Sequence, residues 1–139
     1  MTQDASHELQ VAIVAALKAS TEIEALVADR IYDQVPLESS GSLQFPYISF
    51  GSTQVLQEQV ECFDASDLTI QIDIWSRDPG YAEGRKIAKV IRAVLNEEEL
   101  SLSDNALVYF KLTRRDDVRA SDGVTTHIAM TFGAGVENH

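Results

Sequence analysis

Residues 67–95 read DLTIQIDIWSRDPGYAEGRKIAKVIRAVL, and the fold turns on how that stretch is read. Leu68, Ile70, Ile72 and Ile74 alternate with Thr69, Gln71, Asp73 and Trp75. A period of two puts the four aliphatics on one face of a strand. Pro79 and Gly80 then break the ladder. Beyond them Gly84, Ile87, Ala88, Ile91, Val94 and Leu95 recur at helical spacing, with Arg85, Lys86, Lys89 and Arg92 on the other side. A strand with one apolar face and a helix with one apolar stripe must bury the two together, so Ile72 and Ile91 are expected to meet. Gly84 lies on the stripe, where glycine costs helix propensity; close approach of helix to sheet is its expected reason.

The rest of the 139 residues fits one domain, 1–139, with an ordinary hydrophobic fraction of 45%. No run of about 18 apolar residues marks a membrane span. The opening MTQDASHELQ has no basic region, which argues against a secretory signal. Cys62 is the one cysteine, so no internal disulfide is available and a reducing, cytoplasmic setting is expected. Net charge is -11. Residues 1–65 hold ten acids and two bases, and 66–139 hold twelve acids and nine bases. Duplex DNA binding needs clustered Lys and Arg, offered only around Arg85–Arg92 and Lys111–Arg119, so a high-affinity DNA binder is not expected.

Ser6 is placed to cap a helix over His7–Lys18, with Leu9, Ile13, Ala16 and Leu17 as its stripe and Val11 and Val14 widening it. Thr21 and Glu24 have capping-box spacing and open a short helix to about Ala28. Leu37–Gln44 reads as a mobile polar loop, and Phe45–Phe50 opens a strand with Pro46 at its start. Between Gly51 and Ser66 the pattern weakens, predicting a strand extension, a long loop and the approach to the next strand. Asn96–Glu99 is an acidic turn, and Leu100 and Leu102 suggest a short edge strand. Ala106–Arg114 is a strand, Asp116–Gly123 a charged connection ending in a hairpin signal, and Val124–Phe132 a second period-two strand. Gly133–His139 is expected to fray. Together these predict an α+β domain: a mostly antiparallel four-stranded sheet with two main helices packed on one face. The other face, with Thr69, Gln71, Asp73, Trp75, Thr125, His127 and Thr131, is left for solvent or a partner.

No catalytic constellation stands out. His127 can pair with Asp73 across neighbouring strands, but a plain surface histidine is the simpler reading. Cys62 has no base beside it. Glu97–Glu99 and Asp116–Asp117 read as solvated turns rather than cation sites, and no phosphate-cradling glycine loop or paired-histidine metal motif is present. Neither an enzyme nor a cofactor is expected. Trp75, on the polar face of its strand, is either covered by a loop or anchors an interface.

The combination ELQVAIVAALKAS, TEIEALVADRIYDQVP, FPYISFG, the 68–95 stretch and THIAMTFGAGV resembles the tail completion or tail terminator proteins of long-tailed phages, prophages and gene transfer agents, over roughly Leu9–Phe132. Its most characteristic pieces are Arg30-Ile31-Tyr32-Asp33 with Pro36, Phe45-Pro46-Tyr47, and Trp75-Ser76-Arg77 with Gly80-Tyr81. The resemblance implies a sheet flanked by helices and a homo-oligomeric, usually hexameric ring. That ring would cap the tail tube and join it to the head connector, with DNA passing through the lumen unbound. It implies a virion protein of the tail or neck, assembled in the bacterial host cytoplasm. Interface candidates are Trp75, Asp73 and His127 on the open face, and Leu56, Glu58, Val60 and Phe63 in an acidic segment expected to be mobile until it meets a neighbour. The rival reading is a small ferredoxin-like ligand-binding or regulatory domain, or another neck or minor tail component.

Overall fold

A computed structural model describes residues 5–37, 43–60, 63–95 and 100–138, and within these leaves out the side chains of residues 57–60, 63, 64 and 138. Cys62, His139, Glu97–Glu99 and the Ser39–Ser42 loop therefore lie outside it. The alternating stretch is the central strand, β3 (Phe63–Ser76), of a five-stranded sheet. In chain order its other strands are β1 (Ile31–Tyr32), β2 (Tyr47–Val60), β4 (Ala106–Arg119) and β5 (Thr126–Asn138), arranged β1-β2-β3-β5-β4. Leu68, Ile70, Ile72 and Ile74 are at most 1% exposed. Beside the three isoleucines, in register on β5, stand Phe132, Met130 and Ile128. Three helices, α1 (Ser6–Ala19), α2 (Thr21–Val27) and α3 (Ala82–Val94), accompany the sheet. Leu9, Ile13 and Leu17 of α1, Ile23 and Val27 of α2, and Ile87 and Ile91 of α3 join those strand residues in one core, while Val11 points to solvent. Gly84 has the expected reason: a Cβ there would stand 2.7 Å from Ile128 Cδ1.

The class is α+β as expected, but the sheet is mixed and has five strands, not four. β1 runs parallel to β2 for two residues, too short for any period to show. A second correction concerns the caps. Ser6 lies inside α1, whose N-cap is Ala5. In α2 the cap is Ser20, whose Oγ accepts from the Ile23 amide at 3.3 Å, rather than Thr21. Leu100 and Leu102 form no strand; Leu100 is buried in the core and Leu102 packs against it. The Glu8 carboxylate ties this segment to α1, accepting from Ser103 Oγ and the Asp104 amide, each at 2.8 Å. Burial pushes the Glu8 carboxyl up, but the hydrogen bonds from Asn105, Asp104 and Ser103 outweigh it and hold the group below its ordinary value.

The largest correction is the Gly51–Ser66 segment. It is not a long loop: β2 and β3 pair antiparallel through Leu56↔Asp67 and on to Val60↔Phe63, interrupted by one bulge between Phe50 and Thr53. β5 follows β3 as far as Asp64↔Asn138, so the tail expected to fray at 133–139 continues a strand through Asn138. Its glycines make room. A Cβ on Gly135 would stand 2.1 Å from Tyr109 Cε2, because the Tyr109 ring lies over that position and its hydroxyl donates to Asp67 Oδ1 at 3.1 Å. Gly135→Ala is expected to cost about 1–3 kcal/mol, the range for overpacking. In urea denaturation most of that loss should vanish in a Tyr109→Ala background, since the two side chains compete for one space.

β4 extends to Arg119, past the predicted end at Arg114. Its charged residues pair on the same strand face two apart: Arg114 Nε lies 2.8 Å from Asp116 Oδ2, and Arg115 Nε 3.0 Å from Asp117 Oδ1. The Asp122-Gly123 hairpin forms, with Gly123 at φ 74°. The Asp122 carboxylate accepts from the Thr125 amide (2.8 Å), Thr125 Oγ1 (2.7 Å) and the Val124 amide (2.8 Å). These bonds, the Thr125 amide first, lower Asp122 from 3.8 to about 2. A depressed carboxylate stabilises the fold above its unfolded pKa and loses that contribution as pH falls through the folded value. Asp122→Asn is therefore expected to flatten the stability loss between about pH 4 and 2. Paired acid titrations of the two proteins followed by circular dichroism check this; identical slopes would contradict it.

Candidate assembly interface

The sheet face turned away from the helices carries an aromatic ladder at one end. Tyr47 and Trp75 pair in register across β2 and β3, and Trp75 and His127 across β3 and β5. Side chains opposite one another on one face touch. The Tyr47 and Trp75 rings stack with centroids 6.2 Å apart, and Trp75 and His127 at 3.9 Å, inclined by 6°. Phe45 extends the row at 5.0 Å from Tyr47, and the Arg77 guanidinium lies 4.2 Å over the Phe45 ring.

Polar atoms lock this ladder. Trp75 Nε1 donates to Ser49 Oγ at 3.0 Å. His127 Nε2 lies 2.7 Å from Asp73 Oδ1, which also accepts from Gln71 Nε2 at 2.7 Å. Facing a carboxylate, Nε2 is the ring nitrogen that carries the hydrogen. The Asp73–His127 pair thus forms, correcting the plain-surface-histidine reading. The β2 bulge serves it: a Cβ on Gly51 would stand 2.8 Å from Asp73 Oδ2. Asp73 is buried and Trp75 and His127 are half-buried. Among the described residues no group of three or more His, Cys, Asp or Glu is placed to hold a metal. A flat, half-buried row of rings with satisfied polar edges suits recognition by contact.

The expected interface residues fall into two groups. Trp75, Asp73 and His127 come together. Leu56 lies on the same face, 56% exposed, opposite Asp67, eight residues along β3 from Trp75 and therefore about 26 Å away. Glu58 and Val60 of β2 and Phe63 of β3 continue toward the turn, with Glu58 opposite Ala65 and Val60 opposite Phe63; their side chains lie outside the described residues. The sequence reading missed Phe45, Tyr47 and Ser49 as members of the ladder. The alternation Phe45-Tyr47-Ser49 was the available signal, but assigning its face required knowing that β2 pairs with β3.

Comparison with known proteins gives concordant results. The family model described as "Tail completion protein gp17" matches residues 11–137. Among solved structures, a chain of the "Virion of native gene transfer agent (GTA) particle" is similar at 26% identity and a TM-score of 0.89, covering 99% of this chain and 100% of that chain. No curated protein matches.

Proposed function

The chain belongs to the tail completion protein family, and from that premise we propose that it is the ring-forming terminator of a phage-type tail, capping the finished tube and joining it to the head connector. At the coarser level it is a structural virion protein of the phage-tail type. The observation that carries the reading is the near full-length match to a gene transfer agent virion chain, together with a family match spanning all five strands to Glu137. Three features support the finer part. The Trp75–His127 ladder offers a rigid aromatic contact surface, a residue type that anchors interfaces. β1 and β4 leave two sheet edges, and open edges are templates for association. The net charge of -11 lets DNA pass through a ring without being gripped. The ring is a hexamer seated in the tail or neck of the particle, assembled in the host cytoplasm.

Light scattering across a concentration series, alone and with purified tail tubes, tests this. Closed oligomers, and rings at tube ends in electron micrographs, are the expected result. A strict monomer that never associates with tubes overturns it.

A further inference from the structure

We propose that the outer edge of β2 takes up an extended segment of the tail tube protein as an added strand. This rests on the terminator reading above and names how the cap grips the tube. β1 covers β2 only at Ile48 and Ser49. Beyond them, among the described residues, no strand flanks β2 on that side. From Thr53↔Ile70 to Val60↔Phe63, β2 follows β3 without a break in register, an open edge about 27 Å long. The direction of its amides follows from that register. Ile48, opposite Ile74, sends its N–H outward to Arg30 O at 2.9 Å. Ile70 lies four residues before Ile74 on β3 and repeats its geometry, and Thr53 stands opposite Ile70. The N–H groups of Thr53, Val55 and Gln57 therefore point away from β3, and among the described residues no strand receives them.

The two long edges of the sheet are guarded differently. β4 shifts register between Leu107 and Tyr109 and between Leu112 and Arg114, and Lys111–Arg119 carries six charged residues. Bulges and charges deter an added strand. The open stretch of β2 has neither. Its one bulge lies before Thr53, and residues 51–57, GSTQVLQ, hold no charge and no proline. Val55 packs against the core and fixes the strand from one side, while Leu56 is 56% exposed on the other and offers an incoming strand an apolar contact. A regular, uncharged edge of this kind pairs main chain to main chain. A second copy of this chain suits it poorly. The copy's β4 carries the guards, and its β2 would pair about a two-fold axis, giving an isologous dimer where a ring needs heterologous contacts. The capped tube supplies the occupant: the last subunits of a growing tube still present the surface meant for the next layer, and a cap must meet it.

Hydrogen exchange of the wild type, free and bound to purified tail tubes, tests this. The amides within residues 53–57 should exchange on the order of tenfold or more slowly when bound. Thr53→Pro and Gln57→Pro each remove an outward N–H that the β2–β3 ladder does not use, a position where edge strands accept proline. Each variant should keep a cooperative melt and bind tubes on the order of tenfold or more weakly. Tube binding that leaves 53–57 exchanging freely, or folded proline variants that bind tubes as wild type does, overturns strand addition and leaves the terminator reading standing. If a proline variant does not fold, the wild-type exchange decides alone. Protection of 53–57 that rises with protein concentration in the absence of tubes overturns the occupant, because a second copy then takes the edge. A wild type that never binds tubes overturns the terminator reading itself.

Discussion

Deletion of Leu56–Phe63 is expected to abolish particle completion while leaving the isolated domain folded. The deleted rows are the outer end of the β2–β3 ladder, from Leu56↔Asp67 to Val60↔Phe63. Most of the buried core lies inward of them, from the row of Leu68 and Ala134, although Val136 of the core stands opposite Ser66 in one of the deleted rows, so the deletion removes little of what holds the sheet to the helices. What it removes is the outer end of the hairpin, with the acidic residues Glu58 and Glu61 of its sequence. Circular dichroism of the purified variant should show a wild-type melt, and electron microscopy should show tails that do not join heads. Particles assembled normally without the tip would rule out its role. A variant that unfolds would instead place Val60 and Phe63 in the core.

Ile72→Ala should be the most damaging single truncation, costing about 2–5 kcal/mol. Ile72 is 0% exposed. It stands in register between Phe50 of β2 and Met130 of β5, in one core with Ile87 and Ile91 of α3. With strands on both flanks and α3 in the same core, the cavity left by three carbons cannot collapse, and dispersion contacts are lost on every side. Ile91→Ala should fall in the same range. Urea denaturation monitored at Trp75 measures both. A loss under roughly 0.5 kcal/mol, normal for surface sites, would mean that the facing of β3 is wrong.

The core was legible where one face of an element is dry and the other wet. Ile70, Ile72 and Ile74, and then Ile87 and Ile91, show their periods because each alternates with residues that point away from the core. The outer part of the β2–β3 hairpin hid for the converse reason. Gln54, Gln57, Glu58 and Gln59 place polar residues at both odd and even positions of the strand, so a regular strand leaves no period to read. Gly133 and Gly135 looked like the punctuation of a frayed end because the residue that requires Gly135, Tyr109, lies on another strand. The Asp73–His127 pair was visible only as a possibility. Fifty-four residues separate the two, and nothing local says that β5, rather than β4, lies beside β3. The aromatic ladder needed the same knowledge for β2. The family resemblance, in contrast, was legible from the whole string of segments, because it rested on their order and not on any one contact.

The position of β3 has a mechanical consequence. β3 is paired on one side to β2 and on the other to β5 over nearly all of Phe63–Ser76, and it contains neither glycine nor proline. A strand clamped on both edges, with no residue suited to bending, behaves as a spar about 45 Å long. Its amide hydrogens between Leu68 and Trp75 should be the slowest in the molecule to exchange with solvent, opening only when the whole domain does. A displacement imposed at the outer end of the hairpin has no hinge in β3 to absorb it, and it is delivered along the strand to the rings of Trp75 and His127 at the opposite end.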